Sequence, residues 1–141
     1  MWQFDDGGRA DAGFKGTAGD CACRAIAIAT QHPYHEVYDL LNAYAKGEHK
    51  GKKKKSISNA RTGVYRSCID KVMEHYGWTW VPTMRVGEGC KVHLRAEELP
   101  KGRLVVRVSK HVVAVIDGVI HDTYDSTRDG TRCVYGYYKE G

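Results

Sequence analysis

Arg103-Leu104-Val105-Val106-Arg107-Val108 and His111-Val112-Val113-Ala114-Val115-Ile116 are the two runs on which the reading of this chain turns. Both have strand length and are rich in β-branched residues that pack well on a pleated surface. Asp117-Gly118 follows the second run and suits the left-handed backbone of a two-residue hairpin turn. The returning strand is expected over Val119 to Asp125, and another over Cys133 to Lys139. A two-residue loop fixes the register, so that 116 faces 119, 113 faces 122 and 111 faces 124. His111, Val113 and Asp122 then share one face, with Asp122 diagonal to His111, while His121 and Asp125 take the other.

Helical patterns precede these strands. Cys21 to Thr30 is almost entirely small or apolar, which predicts a helix in the core, with Asp20 as its N-cap. A second helix is expected over 33–46, opened by Pro33 and striped by Tyr34, Val37, Tyr38, Leu41 and Tyr44. A third is expected from Thr62 to Tyr76, with Val64, Tyr65, Cys68, Ile69, Val72 and Tyr76 on one face and Gly77 as its left-handed stop. Trp78-Thr79-Trp80-Val81 begins the β half, and Pro82 marks a sheet edge or a strand end. Residues 1–19 show no periodicity and read as an irregular lead-in. Helices first and an antiparallel sheet after them give an α+β class, in a single domain over 1–141.

Composition sets the outer bounds. The chain has 141 residues, 42% hydrophobic and 28% charged, which suits one compact core and excludes a disordered chain. No apolar run approaches the roughly 18 residues of a membrane span, and the first residues lack the basic and apolar segments of a secretory signal. A cytoplasmic protein is therefore expected. The formal charge of +5 favours acidic partners without demonstrating nucleic-acid binding. The basic run Lys52, Lys53, Lys54 and Lys55 lies in a segment, 47–61, that reads as a solvated, mobile loop. It could touch an acidic protein or a nucleic acid, although no nucleic-acid-binding signature accompanies it. Five cysteines without a secretory signal are expected to be mostly reduced. Cys21 and Cys23 are the one close pair, so zinc held by these two and a histidine is a weak reading, and no metal or other cofactor is expected. Cys68 reads as core, and Cys90 and Cys133 carry no assignment.

The chemistry gathers on three residues. Cys21 falls in the first turn of the predicted core helix, where unpaired N–H groups and the helix dipole stabilise a thiolate. Cys23 lies about 200° further round and faces elsewhere. His111 heads an apolar strand, and a carboxylate diagonal to it, Asp122, can hold the imidazole in the tautomer that makes it a base. Taken singly, these are an ordinary core cysteine, strand histidine and turn carboxylate. Their order and shared face are what point to catalysis.

Three short segments, Gly19-Asp20-Cys21, Lys110-His111-Val112-Val113-Ala114-Val115 and Val119-Ile120-His121-Asp122, resemble motifs of the papain-like cysteine peptidases, in particular the small bacterial C39-like branch. The order of elements fits that superfamily over roughly residues 13–139. The resemblance implies a papain-like fold, Cys21 as nucleophile, His111 as general base and acid, and Asp122 as the residue orienting His111. Papain-like enzymes also carry a glutamine five or six residues before the cysteine as an oxyanion donor. This chain has Lys15 and Gly16 there, leaving Lys15 or Thr17, or more remotely Gln3, beside the Cys21 backbone N–H. Two functions follow as expectations. One is hydrolysis of a peptide or isopeptide bond, with deamidation or transglutamination using the same triad. The other is a degenerate binding module that engages an acidic protein or nucleic acid through Lys52–Lys55.

Overall fold

Strands that are dry on both faces run apolar without alternation, and this is how the C-terminal runs of the chain are placed. A computed structural model describes residues 2–14, 19–47, 58–61, 63–85 and 87–141. In chain order the elements are β1 (Trp2–Phe4), α1 (Cys21–Thr30), α2 (Tyr34–Ala45), α3 (Arg66–His75), β2 (Trp78–Pro82), β3 (Arg103–Val108), β4 (His111–Ile116), β5 (Val119–Asp122) and β6 (Val134–Glu140). The strands form one sheet in the order β1-β5-β4-β3-β6-β2. The class is α+β, as expected.

The hairpin has the predicted register. Asp117 and Gly118 have φ of 48° and 81°, and Ile116 pairs with Val119, Val115 with Ile120 and Ala114 with His121. Pro82 ends β2, an outermost strand, where a missing N–H breaks no ladder. Gly77 ends α3 with φ of 78°.

Three expectations are corrected. The sheet is mixed, because β1 pairs in parallel with β5; three residues are too few to show a period, and the lead-in around them is rich in Gly and Asp. The returning strand stops at Asp122, three residues early. Asp122 Oδ1 accepts from the Thr123 N–H and Asp125 Oδ1 from the Thr127 N–H, which turns the chain. The third helix begins at Arg66, because Asn59 and Gly63 pair as a bridge and Ser58 Oγ accepts from the Tyr65 N–H. Cys90 and Cys133, unassigned from the sequence, form a disulfide, while Cys21, Cys23 and Cys68 are free, so most of the five cysteines are reduced as expected.

Two apolar layers enclose the sheet. On one side α1, α2 and α3 bring Ile26, Leu41, Ile69 and Met73 against Val105, Val112, Ala114 and Tyr138. The alanines of α1 are buried and let the helix lie close on β4. On the other side Leu94 and Leu99 cover Leu104, Val106, Val108, Val113, Val115, Ile120 and Val134. Each such side chain contributes about 1.5–3 kcal/mol when fully buried. The covering segment includes a short 3-10 turn at Ala96–Glu98, and the Cys90–Cys133 bond ties its N-terminal flank to the start of β6. Among the described residues, no helix is long and apolar enough to cross a membrane.

The hairpin turn is locked by this second layer. A Cβ on Gly118 would lie 2.8 Å from the Ala96 Cβ, whereas one on Gly77 would meet open space at a similar positive φ. Gly77→Ala is expected to cost about 1 kcal/mol for its left-handed backbone alone, and Gly118→Ala about 2–3 kcal/mol. Denaturant titration of both variants checks this; equal losses would show that the Ala96 contact contributes nothing.

Candidate active site

The first turn of α1, the start of β4 and the end of β5 converge at one groove of about 550 Å³. Cys21 is the first residue of α1, partly exposed, and lines it with His111, Val112, Lys110, Thr123 and Tyr124. His111 Nε2 bonds Asp122 Oδ2 at 2.6 Å, with both groups buried. The Cys21 thiol lies near enough to the same imidazole and to the Val112 backbone N–H for both to act on its ionisation. The structure therefore brings together Cys21, His111 and Asp122. The Tyr124 ring stands 5.4 Å from the His111 ring.

Electrostatics separate the cysteines. Burial pushes the Cys21 thiol up, but the bond to His111, the charge on that ring, the Val112 N–H and Arg24 together outweigh it and leave its pKa below the ordinary thiol value. Burial pushes the Cys23 thiol up to about 12, making it an inert neighbour directed at the Tyr34 carbonyl. For His111, burial lowers the pKa, while the bonds to Asp122 and Cys21 raise it further, to about 8. Asp122 is pushed up by burial and down more strongly by His111, the Thr123 N–H and nearby Ser126, so it stays below the usual carboxylate value. A thiol shifted down beside an imidazole shifted up is the direction that favours a thiolate–imidazolium pair.

Behind the triad lies a set of partners that sequence reasoning missed. Asp20 does not cap α1 with its side chain. Its carboxylate instead accepts from Arg24 and from the Tyr34 hydroxyl at 2.5 Å, with Arg9 Nε at 3.4 Å. Arg24 Nη2 also reaches Asp122 Oδ1 at 3.4 Å. The Asp20–Arg24 half was visible as an i,i+4 pair; the link to Asp122 spans 98 positions and left no local signal.

The remaining expected site residues fall elsewhere. Asp125 is exposed and bonds the Thr127 N–H and hydroxyl, away from His111. Gln3 is exposed on β1 opposite His121 and does not line the groove. Lys15 and Thr17, and Lys52, Lys53, Lys54 and Lys55, lie outside the described residues. Among the described residues no cluster of three or more His, Cys, Asp or Glu side chains could hold a metal ion, and Cys21 faces His111 and Cys23 the Tyr34 carbonyl. Comparison of the chain with known protein families, curated proteins and solved structures finds no match.

Alkylation reads the pair directly. Because the Cys21 pKa is lowered, iodoacetamide should modify Cys21 at pH 7 at least about tenfold faster than Cys23 or Cys68. His111→Ala removes the strongest of the effects that lower it and leaves only the Val112 N–H and Arg24 against burial, so labelling at pH 7 should drop and its rate should climb only at higher pH. Peptide mapping of the adducts across pH 5–10, roughly the range in which thiols titrate, checks this; equal rates at all three free thiols would show that no pair exists.

Proposed function

We propose that this chain is a papain-like cysteine hydrolase that cleaves a peptide or isopeptide bond through a covalent acyl-enzyme. The observation that carries the reading is one groove in which Cys21, at the start of α1, sits beside an imidazole that Asp122 holds through Nε2. In this reaction Cys21 Sγ attacks the carbonyl carbon and the carbonyl electrons move onto oxygen. The tetrahedral intermediate collapses, the C–N bond breaks, and the proton on His111 passes to the leaving amine. Water then loses a proton to His111 as it attacks the thioester, and the C–S bond breaks to regenerate the thiolate. Asp122 stays ionised and keeps the ring oriented through both steps. The Cys21 backbone N–H, in the first turn of α1, offers the developing oxyanion a donor that the helix does not use.

The groove is only partly enclosed, and so leaves room for an extended peptide segment or protein tail. An amine in place of water would turn the same thioester toward transfer, and a side-chain amide as substrate would make the reaction a deamidation.

A generic activated ester tests the chemistry without a known substrate. With p-nitrophenyl acetate, a burst of nitrophenol and an acetyl group on the Cys21 peptide are expected, and Cys21→Ala should abolish both. Asp122→Asn should slow acetylation about a hundredfold or more, as wrong-tautomer replacements do in triads. Asp125→Asn should leave it near the parent rate. Thermal melts exclude unfolding as the cause. Acetylation of Cys21 that ignores the Asp122 change, or that falls only with Asp125, would overturn the triad.

A further inference from the structure

Beside the thiol groove lies a second one of about 430 Å³, and Arg107 of β3 lines both. The second groove contains three guanidinium groups, Arg66, Arg85 and Arg107, with Trp80, Met84 and Tyr135, and no carboxylate lines it. Arg66 stacks over the Trp80 ring at 4.4 Å and has a half-exposed ion pair with Asp70 at 3.8 Å. Among the described residues Arg85 and Arg107 are in no ion pair at all. Lys110 adds a further cation to the thiol groove itself.

Such clustering of like charge is unfavourable in the empty protein and favours an anionic occupant. Arginine forks match carboxylates in bidentate geometry. The Trp80 face is already covered by Arg66, so it is not a free platform for stacking a nucleic-acid base.

Resting on the reading of Cys21 as an acyl-transfer thiol, we infer that the substrate is an acidic peptide whose carboxylate side chains, a few residues from the scissile bond, sit in the Arg66–Arg85–Arg107 groove. Arg107 stands where the two grooves meet and selects for an acidic residue nearest the bond. Arg85 and Arg66 extend that selection further along the chain.

Binding to the Cys21→Ala protein tests this without turnover. The probes are a short fluorescein-labelled peptide rich in glutamate, the same peptide with glutamine throughout, and a labelled oligothymidine, read by fluorescence anisotropy. The glutamate peptide should bind at least about tenfold more tightly than the glutamine one, and more weakly as salt rises. Arg107→Gln, and separately the exposed Arg85→Gln, should each remove most of that difference. Arg103→Gln, at the opposite end of β3 and paired with Glu140, should not. Equal affinity for the two peptides, or a difference that survives both Arg85→Gln and Arg107→Gln, overturns the inference. So does oligothymidine binding more tightly than the glutamate peptide. Because acetyl transfer to Cys21 is measured separately, a failure of peptide selectivity alone is distinguishable from a failure of the thiol chemistry.

Discussion

Asp20 and Asp122 are 2% and 3% exposed, and a buried carboxylate is tolerated only with donors and a cation at hand. Arg24 supplies both with one guanidinium, donating from Nη1 to Asp20 and from Nη2 to Asp122. A lysine could not do this, since an ammonium lacks the planar fork that reaches two acceptors at once. Arg24 lies one turn beyond Cys21, so the bridge fixes the start of α1 against the end of β5. The thiol's approach to His111 follows from that constraint, because Asp122 binds Arg24 on one oxygen and His111 on the other.

The scaffold makes the constraint rigid. β4 lies between two apolar layers and cannot shift without exposing one of them. The hairpin beyond it is pinned by the Gly118–Ala96 contact, so the separation of His111 and Asp122 along the strands is set by turn geometry and not by side-chain chance. Even the buried Arg132 contributes, donating to the Ser109 and Ser126 carbonyls and so holding the β3–β4 turn to the loop that follows Asp122.

What could be read in the sequence was what local chemistry dictates. Asp117-Gly118 demands a left-handed pair, and from that turn the register and the shared face of His111 and Asp122 follow by counting. The amphipathic stripes of α2 and α3 were legible for the same reason, although the start of α3 was displaced by the Asn59–Gly63 bridge, a pairing no stripe reveals. Features decided by distant partners were not legible. Asp20 matches a local capping rule, yet two arginines and a tyrosine compete for its carboxylate and win. β1 is too short to show a period and exists because β5 offers it an edge. Leu94 and Leu99 sit in irregular chain, and nothing in their spacing says that they roof the sheet. The Cys90–Cys133 pair spans 43 positions and matches no spacing rule.

The order of the site residues along the chain has a consequence for how the protein is made. Cys21 leaves the ribosome about 90 and 100 residues ahead of His111 and Asp122. At roughly 5–20 residues per second the nascent thiol spends several seconds without an imidazole beside it. During that interval it is an ordinary cysteine, protonated at neutral pH and slow to attack an acyl group. The surroundings that lower the Cys21 pKa arise only when the strand headed by His111 closes against α1, so an unfinished chain carries the thiol without its imidazole.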